Sequence, residues 1–164
     1  MEFANNQRPL LITFCGLPGS GKTTTAKQLE RETGAVRLNT DEWMADLGID
    51  FFDEAFHVRL QARLYKHGLK LLELGQSIIV EDGHWTRKER DRHREDAHKL
   101  GATVVLHYFD LSFDELWRRL EGRNASGEYG TVPVTREQLQ KYWAKFQRPD
   151  EAELSLFDQY VVHT

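Results

Sequence analysis

The segment from residue 16 to residue 23 has the residue types and spacing of a loop that holds phosphate groups; it reads Gly16-Leu17-Pro18-Gly19-Ser20-Gly21-Lys22-Thr23. It matches the pattern G-x-x-x-x-G-K-[ST], with an apolar run before it and helix-forming residues after it. Glycines let the backbone curl so that several N–H groups point at phosphate oxygens, and the positive end of the following helix adds to this field. We predict that this loop and the adjacent Thr24 bind a nucleotide, with Lys22 on the β- and γ-phosphates and the Thr23 hydroxyl on Mg²⁺.

Three acidic side chains follow two predicted strands, at the sheet edge that carries the phosphate loop. A carboxylate at Asp41 is suited to accept the proton of a hydroxyl group that attacks phosphorus. The alternative is that Asp41, in competition with Thr40, caps a short helix. Glu81 and Asp82 end the third strand, where nucleotide-binding enzymes place an acid that holds Mg²⁺ or its water. Strand alternation sends these two side chains to opposite faces of the sheet, so we expect only one of them to contact the metal or its water. We assign this contact to Asp82. A structural role for each as a turn residue stays open.

Arginines and glycines are concentrated between residues 118 and 130. Arg119 and Arg123 lie four residues apart and share a helix face if the helix extends that far. A planar guanidinium suits the negative charge that spreads over a phosphoryl group during transfer. The alternative is a solvated helix end whose cations interact with the helix dipole, which we favour for Arg118. The loop from Gly122 to Gly130 is predicted to be a lid that closes and excludes water, with its glycines as hinges.

Alternating strands and helices must position these groups. Continuous apolar runs predict buried strands, and apolar residues at three- and four-residue spacing predict helices. The predicted strands are 10–15, 36–38, 77–80, 103–109 and 160–162, and the predicted helices are 22–33, 54–74, 86–100, 112–120 and 135–147. This order predicts one α/β domain over residues 1–164, with a parallel five-stranded sheet, helices on both faces and a lid at about 121–134.

Composition indicates an ordinary globular chain with a small negative charge. It has 164 residues, of which 40% are hydrophobic, and 22 basic residues against 26 acidic ones give a net charge of −4. This balance argues against disorder and against a basic surface for a long nucleic acid. No apolar run is long enough to span a bilayer, and the N-terminus lacks the pattern of a secretory signal. The single Cys15 excludes an internal disulfide and is typical of a reducing compartment, so we expect a cytoplasmic protein without a membrane partner.

Missing motifs narrow the class of nucleotide-binding protein. The chain has no N-K-x-D motif, with which GTPases read the base, and no LSGGQ-like signature of ABC-type ATPases. Ring-forming AAA-type machines need a helical lid domain, for which the predicted elements leave no room. The small P-loop kinases remain, and ATP is the expected nucleotide.

Four segments, GLPGSGKTT, LNTDEW, IIVEDGHWTRKER and RRLEGRN, together resemble the predicted-kinase family of P-loop proteins. This family includes chloramphenicol phosphotransferase, zeta toxin and the kinase domain of phage polynucleotide kinase, and the resemblance runs from Leu10 to about Pro149. It implies a three-layer P-loop NTPase fold that uses ATP and Mg²⁺, in which Asp41 takes the proton from the attacking hydroxyl. It also implies that Arg119 covers the adenine or ribose and that Arg123 reaches the γ-phosphate.

The chain departs from this family at the end of the third strand. Family members often read D-A-T-N-L or S-D-T-N-L there, and this chain reads Glu81-Asp82-Gly83-His84-Trp85. The resemblance implies that Glu81 or Asp82 corresponds to the aspartate of the family patterns. That residue would contact the metal or the phosphoryl acceptor. Trp85 is predicted to line the acceptor pocket by stacking, the alternative being an aromatic residue packed at the edge. His84 is expected to be a satisfied polar residue rather than a catalyst.

These features predict an ATP-dependent kinase that phosphorylates a hydroxyl group of a small molecule, such as an antibiotic, a nucleoside or a sugar-type metabolite. The acceptor pocket is expected between Asp41, the helix from Glu54 and the 81–85 turn. Three phenylalanines and a histidine near the start of that helix could grip a planar or apolar acceptor, although core packing is the expected use of the aromatic residues: Phe51, Phe52, Phe56 and His57.

Two other functions stay open. A polynucleotide 5′-hydroxyl kinase shares these motifs, but the balanced charge and the lack of a basic groove make it the weaker hypothesis. A non-catalytic ATP-binding switch would leave Asp41 unused. The charged segment from Arg87 to Asp96 is expected to be mostly a solvated helix face, with Arg87 or Arg90 as a possible contact for an anionic acceptor. The sequence does not indicate an oligomeric state.

Overall fold

A sheet of five parallel strands forms the middle layer of the molecule. The computed structural model describes residues 7–164. Its strands are β1 (Leu10–Cys15), β2 (Val36–Leu38), β3 (Ile78–Val80), β4 (Thr103–Phe109) and β5 (Gln159–His163), arranged in the order β2-β3-β1-β4-β5. Its helices are α1 (Lys22–Thr33), α2 (Thr40–Asp46), α3 (Glu54–Glu73), α4 (Arg87–Lys99), α5 (Phe113–Ser126), α6 (Arg136–Lys145) and α7 (Glu151–Leu154). Across residues 7–164, no helix is long and apolar enough to cross a membrane.

The central strand β1 delivers the phosphate loop to the middle of the sheet edge. It pairs in parallel with β3 on one side and with β4 on the other. Because helices cover both faces, Leu11 and Phe14 are both fully buried, and the strand sequence is continuously apolar instead of alternating. The parallel five-stranded sheet with helices on both faces confirms the predicted fold class. The β1 carboxyl end lies between those of β3 and β4, where ligands of such sheets bind.

The predicted lid is shorter than the sequence indicated, because α5 continues to Ser126 instead of ending near residue 120. Gly127 ends the helix with φ of 61°, in the left-handed region that favours glycine. The Asn124 side chain donates to the Val134 carbonyl and accepts from the Val134 N–H, at 2.8 and 3.1 Å. These two bonds, made across ten residues, hold the last helical turn in place. Gly122 therefore lies inside a helix, and its predicted role as a hinge is wrong.

The segment before α3 also differs from the prediction. Of the three aromatic residues expected in the core, Phe52 is 72% exposed, and Phe51 and Phe56 are half-buried. The reason is that α3 begins at Glu54, so Phe52 lies in the turn before the helix and outside its apolar face. The short helices α2 and α7 had too few residues to show a helical period in the sequence.

A buried ion pair attaches the C-terminal segment to the core. Arg90 in α4 is fully buried and donates to both carboxylate oxygens of Glu153 in α7, at 2.6 and 3.0 Å. It also donates to the His84 carbonyl at 3.0 Å. The hypothesis that Arg90 contacts an anionic acceptor is therefore wrong, because its hydrogen bonds are made inside the protein. Arg87 is exposed and lies 3.4 Å from Asp91 on the same helix.

We expect Glu153→Gln to lower the free energy of unfolding by about 3 kcal/mol, because Arg90 then stays buried without a counter-ion. Urea denaturation measures this loss. The double variant R90M/E153L should lose less, since apolar side chains replace both charges. The control is Arg87→Ala, which removes an exposed ion pair and should change stability by less than about 1 kcal/mol. Equal losses for Glu153→Gln and Arg87→Ala would contradict the structural role of the buried pair.

Candidate active site

The phosphate loop is braced from behind by the turn that follows β3. The Gly16 N–H donates to the Gly83 carbonyl at 3.1 Å, and the Trp85 indole N–H donates to the Gly16 carbonyl at 3.2 Å. A Cβ on Gly83 would lie 2.4 Å from the Gly16 carbonyl oxygen, so only glycine permits this approach. On the other side, a Cβ on Gly19 would lie 2.8 Å from Leu120 Cγ in α5. The loop is thus held between the 83–85 turn and α5.

The Lys22 ammonium lies inside the loop. It donates to the carbonyls of Leu17 and Gly16, at 2.8 and 3.2 Å. Burial lowers the pKa of Lys22 to about 8, and the nearby charge of Glu81 partly opposes that shift. A partly desolvated cation at the first residue of α1 fits a phosphate group, whose negative charge would replace the lost hydration. These features support the predicted phosphate contact.

The Thr23 hydroxyl, the predicted Mg²⁺ ligand, donates to the Glu81 carboxylate. Glu81 is almost fully buried, and its second oxygen accepts from Arg37 at 2.6 Å. Arg37 also donates to Glu42 at 2.6 Å. The structure therefore places Glu81, rather than Asp82, beside the hydroxyl that is predicted to bind Mg²⁺. The sequence analysis did not identify Arg37; the available signal was a basic residue inside a three-residue strand.

Asp41 lies in the first turn of α2, beside the phosphate loop. The N-cap of α2 is Asn39, whose side chain accepts from the Glu42 N–H at 2.9 Å. The alternative that Asp41 caps the helix is therefore wrong, and its carboxylate is available for another use. Its Oδ1 lies 3.3 Å from His57 Nε2 in α3, and this hydrogen bond raises the pKa of His57.

Asp82 faces away from Glu81, as strand alternation predicted. It accepts a hydrogen bond from the Thr40 hydroxyl at 3.2 Å and interacts with the Gln61 side chain of α3. Burial raises the pKa of Asp82 to about 6, and the nearby Asp41 charge adds to the rise. Asp41 and Asp82 thus belong to one cluster with His57 and Gln61. The sequence does not single out Gln61 and places His57 only among the side chains near the start of α3, because only the packing of α3 against β3 shows that both face the site.

His84 and Trp85 hold the turn after β3. His84 Nδ1 is 2.9 Å from the Thr13 hydroxyl and 3.1 Å from the Phe14 carbonyl, and burial lowers the pKa of His84 to about 4. The expectation of a satisfied polar residue is confirmed. The Trp85 ring packs against Tyr142 of α6, with ring centroids 4.9 Å apart. These contacts favour the packed-aromatic interpretation of Trp85, and none of them supports its predicted contact with the acceptor.

The three arginines of α5 have different environments. Arg118 and Arg119 both donate to Glu115 on the exposed face of the helix. Arg119 also comes 3.4 Å from the Ser20 carbonyl, so it lies beside the phosphate loop. Arg123 donates to the Val132 carbonyl at 3.0 Å, and its buried Nε has no partner among residues 7–164.

The surroundings of Arg123 favour an anionic ligand. Burial lowers the pKa of Arg123, while the charges of Glu128 and Asp41 oppose that shift. Arg123 in turn contributes to the low pKa of Lys22, for which burial is the main cause, so the two cations lie close together. A half-buried guanidinium with a free N–H next to Lys22 has the location predicted for a ligand of the γ-phosphate.

A cavity of about 360 Å³ opens beside the loop, between Thr24 and Arg119 on one side and Phe109 and His163 on the other. The Phe109 and His163 rings stack, with centroids 4.3 Å apart and an angle of 9° between their planes. His163 is also fixed by a 2.9 Å hydrogen bond to His107. Ser20 and Gly21 of the phosphate loop also line the cavity, so it adjoins the predicted phosphate site. The sequence analysis did not find Phe109 or His163, because residues of β4 and β5 meet Arg119 only in the folded sheet.

Comparison with known families identifies the domain. A family model described as an AAA domain (AAA_33) matches residues 11–149, from β1 to the end of α6 and beyond. The matched region contains the phosphate loop, the acids that follow β2 and β3, and the arginines of α5. The chain therefore contains an AAA domain, although the elements predicted from the sequence leave no room for the helical lid domain of ring-forming machines. No curated protein matches the chain in sequence.

Several solved structures share the fold. A protein described as a candidate kinase from Chloroflexus aurantiacus has a TM-score of 0.73 at 23% identity, covering 96% of this chain and 88% of that chain. A chain of the Pnkp1/Rnl/Hen1 RNA repair complex has a TM-score of 0.70 at 23% identity, over 88% of this chain and 46% of that chain. An APS kinase from Mycobacterium tuberculosis, in complex with AMPPNP and APS, has a TM-score of 0.61 at 22% identity. The match covers 94% of this chain and 88% of that chain. At these identities the likeness concerns the fold alone, which is an α/β fold of the P-loop NTPase type.

The bracing of the loop predicts a contrast between two glycine variants. Gly83→Ala should weaken ATP binding on the order of tenfold, because the new Cβ would push the Gly16 carbonyl and displace the phosphate loop. An overpacked contact of this kind typically costs about 1–3 kcal/mol. Isothermal titration with Mg-ATP measures the affinity. Gly122→Ala is the matched control: a Cβ there has no atom within 4 Å, so helix stability should rise and ATP affinity should be kept. Unchanged ATP binding in Gly83→Ala would contradict the bracing role.

Proposed function

The chain belongs to the AAA_33 family of AAA domains, and we propose that it is an ATP-dependent kinase that transfers the γ-phosphoryl group to a hydroxyl group of a small molecule. The observation that carries this proposal is the position of Asp41. Its charge acts on Lys22 and Arg123 on one side, and its carboxylate contacts His57 on the other. A base in this position can receive a hydroxyl proton where the phosphoryl group arrives.

The nucleotide half of the site uses the loop, its lysine and the cavity beside it. Backbone N–H groups of Gly19, Gly21, Lys22 and Thr23, together with the Lys22 ammonium, would hold the β- and γ-phosphates. Arg119 and the cavity beside Phe109 would hold the ribose and the base. Thr23 would bind Mg²⁺, whose charge stabilises the phosphates during transfer. Glu81 orients the Thr23 hydroxyl, and Arg37 orients Glu81 through its 2.6 Å hydrogen bond.

The transfer step places each group in a defined role. The acceptor hydroxyl oxygen forms a new bond to the γ-phosphorus while the bond from that phosphorus to the β–γ bridging oxygen breaks, and ADP leaves with the electron pair. The hydroxyl proton moves to the Asp41 carboxylate. Lys22 and Arg123 stabilise the negative charge on the oxygens of the transferred group, which is greatest in the transition state.

The first prediction from this mechanism concerns Lys22 and Asp41. Lys22→Ala should abolish phosphoryl transfer, because it removes the cation that the transferred phosphate needs. Asp41→Asn should lower turnover by about 10²- to 10⁴-fold while ATP affinity survives, because only the base is lost. The assay incubates each protein with Mg-ATP and a metabolite extract, with short DNA and RNA oligonucleotides in parallel. Mass spectrometry then detects any species that gains one phosphoryl group.

The outcomes of this assay distinguish the candidate functions. A small-molecule product that is absent with Asp41→Asn identifies the acceptor and supports the proposal. A phosphorylated oligonucleotide end would instead indicate a polynucleotide kinase. Tight ATP binding without any product would indicate a nucleotide-binding switch. Full transfer by Asp41→Asn would show that Asp41 is not the base.

A second prediction separates the two acids that follow β3. Glu81→Gln should raise the Mg²⁺ concentration needed for half-maximal transfer by about tenfold, because Glu81 orients the Thr23 hydroxyl. Asp82→Asn should leave this Mg²⁺ requirement unchanged and raise the KM for the acceptor. Initial rates at varied free Mg²⁺ and varied acceptor measure both quantities. The opposite pattern would assign the metal to Asp82, as the sequence alone indicated.

A further inference from the structure

Asp41 belongs to a set of polar groups on α2, α3 and the turn after β3. We call this set the acceptor wall, and it consists of Thr40, Asp41, His57, Gln61 and Asp82. Within it, His57 Nε2 lies 3.3 Å from an Asp41 oxygen, and the Thr40 hydroxyl lies 3.2 Å from an Asp82 oxygen. Gln61, one helical turn after His57 on α3, interacts with Asp82. The wall therefore joins α2, α3 and the turn after β3 around the candidate base.

The wall carries negative charge. Burial raises the pKa of Asp82 to about 6, and hydrogen bonds from Gln61 and Thr40 oppose the rise, so the carboxylate is mostly ionised at neutral pH. The hydrogen bond from His57 to Asp41 raises the pKa of His57. Any positive charge on the imidazole is therefore paired with the Asp41 carboxylate. An anion brought against this wall would meet two carboxylates and no unpaired cation of the wall itself.

Three arginines of the neighbouring elements bind partners outside the wall. Arg90 is buried in its ion pair with Glu153. The Arg92 guanidinium lies over the Tyr65 ring, 5.1 Å from its centroid. Arg37 donates to two carboxylates at 2.6 Å. Arg59 and Arg63 of α3 are exposed and follow His57 and Gln61 by two residues, so they do not share the helix face of those two side chains. Lys22 and Arg123, whose charges act on Asp41, lie on the nucleotide side.

The wall matches the hydrogen-bonding needs of hydroxyl groups. A carboxylate accepts hydrogen bonds from hydroxyl donors, whereas an amide such as Gln61 and an imidazole such as His57 can both donate and accept. Several such groups in a small space can bind several hydroxyls of one molecule at once. A phosphate or sulfate on the acceptor would need guanidinium or ammonium partners instead, and like charges placed together are disfavoured.

We propose that the acceptor is an uncharged, polyhydroxylated small molecule, bound through its hydroxyl groups to His57, Gln61 and Asp82, and that acceptors bearing phosphate are rejected. This inference rests on the proposed kinase function and specifies its substrate class. His57, Gln61 and Asp82 are then the specificity-determining residues, whereas Asp41 performs the proton transfer described above.

The test compares matched acceptors with the purified full chain and Mg-ATP. The panel contains ribose, glucose, glycerol and adenosine, each beside a monophosphate of the same compound that keeps a free hydroxyl, together with an oligonucleotide bearing a 5′-hydroxyl. Products from the metabolite extract are scored in the same way, as neutral or anionic acceptors. We expect neutral acceptors to have kcat/KM at least about tenfold above their monophosphates, because the wall repels the added charge. A monophosphate or the oligonucleotide as the better substrate would overturn the proposal.

Variants of the wall provide a second readout. Gln61→Lys places a cation beside Asp82. It should reduce the ratio of kcat/KM for the neutral acceptor to kcat/KM for its monophosphate by about tenfold or more. Asp82→Asn should raise the KM for the neutral acceptor while ATP affinity is kept. Asp114→Asn is the matched control, since this exposed residue lies in the first turn of α5 and outside the site. A neutral-to-anionic ratio that stays the same in Gln61→Lys, with ATP binding intact, would contradict the role of the wall.

The assay also separates failure of this inference from failure of the proposed function. If an anionic acceptor is phosphorylated and Asp41→Asn abolishes the product, the kinase function stands and the inferred substrate class is wrong. If neither the panel nor the extract yields a phosphorylated product while ATP binds, the kinase function is wrong, and the inference fails with it.

Discussion

The contact between the Gly16 and Gly83 backbones is the constraint on which the site depends. The parallel pairing of β1 and β3 brings the two chain segments side by side, and the 3.1 Å hydrogen bond joins them just beyond the strand ends. Because no side chain separates the two backbones, the phosphate loop and the acids that follow β3 share one small region. Trp85 adds a hydrogen bond to the same loop and packs against Tyr142, so α6 supports the loop from a distant part of the sequence.

This arrangement divides the site by charge. Lys22 and Arg123 concentrate positive charge where phosphate would bind, and Asp82 concentrates negative charge on the side of α3. Asp41 lies between these two groups, and its charge acts on Lys22 and Arg123 on one side and on Asp82 on the other. In the proposed function, the phosphoryl group binds in the positive half of the site and the acceptor in the negative half. The division follows from strand alternation after β3, which directs Glu81 toward Thr23 and Asp82 toward Thr40.

Much of the fold could be predicted from the sequence, because its signals are local. Apolar runs identified all five strands to within about two residues, and the glycine-lysine pattern identified the phosphate loop together with its flanking strand and helix. Asp41 could be proposed as a base from its place after β2, but whether it capped α2 depended on Asn39. The end of α5 could not be predicted, because Asn124 is held by Val134 across a loop.

The sequence by itself determined the α/β class, the phosphate loop and the acids near it, since short-range patterns of residue type specify strands, helices and tight turns. Only the tertiary structure decided which side chains share a site. Arg37 reaches Glu81 across 44 positions in the chain, and Arg90 finds its counter-ion 63 positions away. His57 and Gln61 face Asp82 because α3 packs against β3. Such pairings depend on the burial and direction of side chains from separate elements, and these are set when the sheet and its helices pack together.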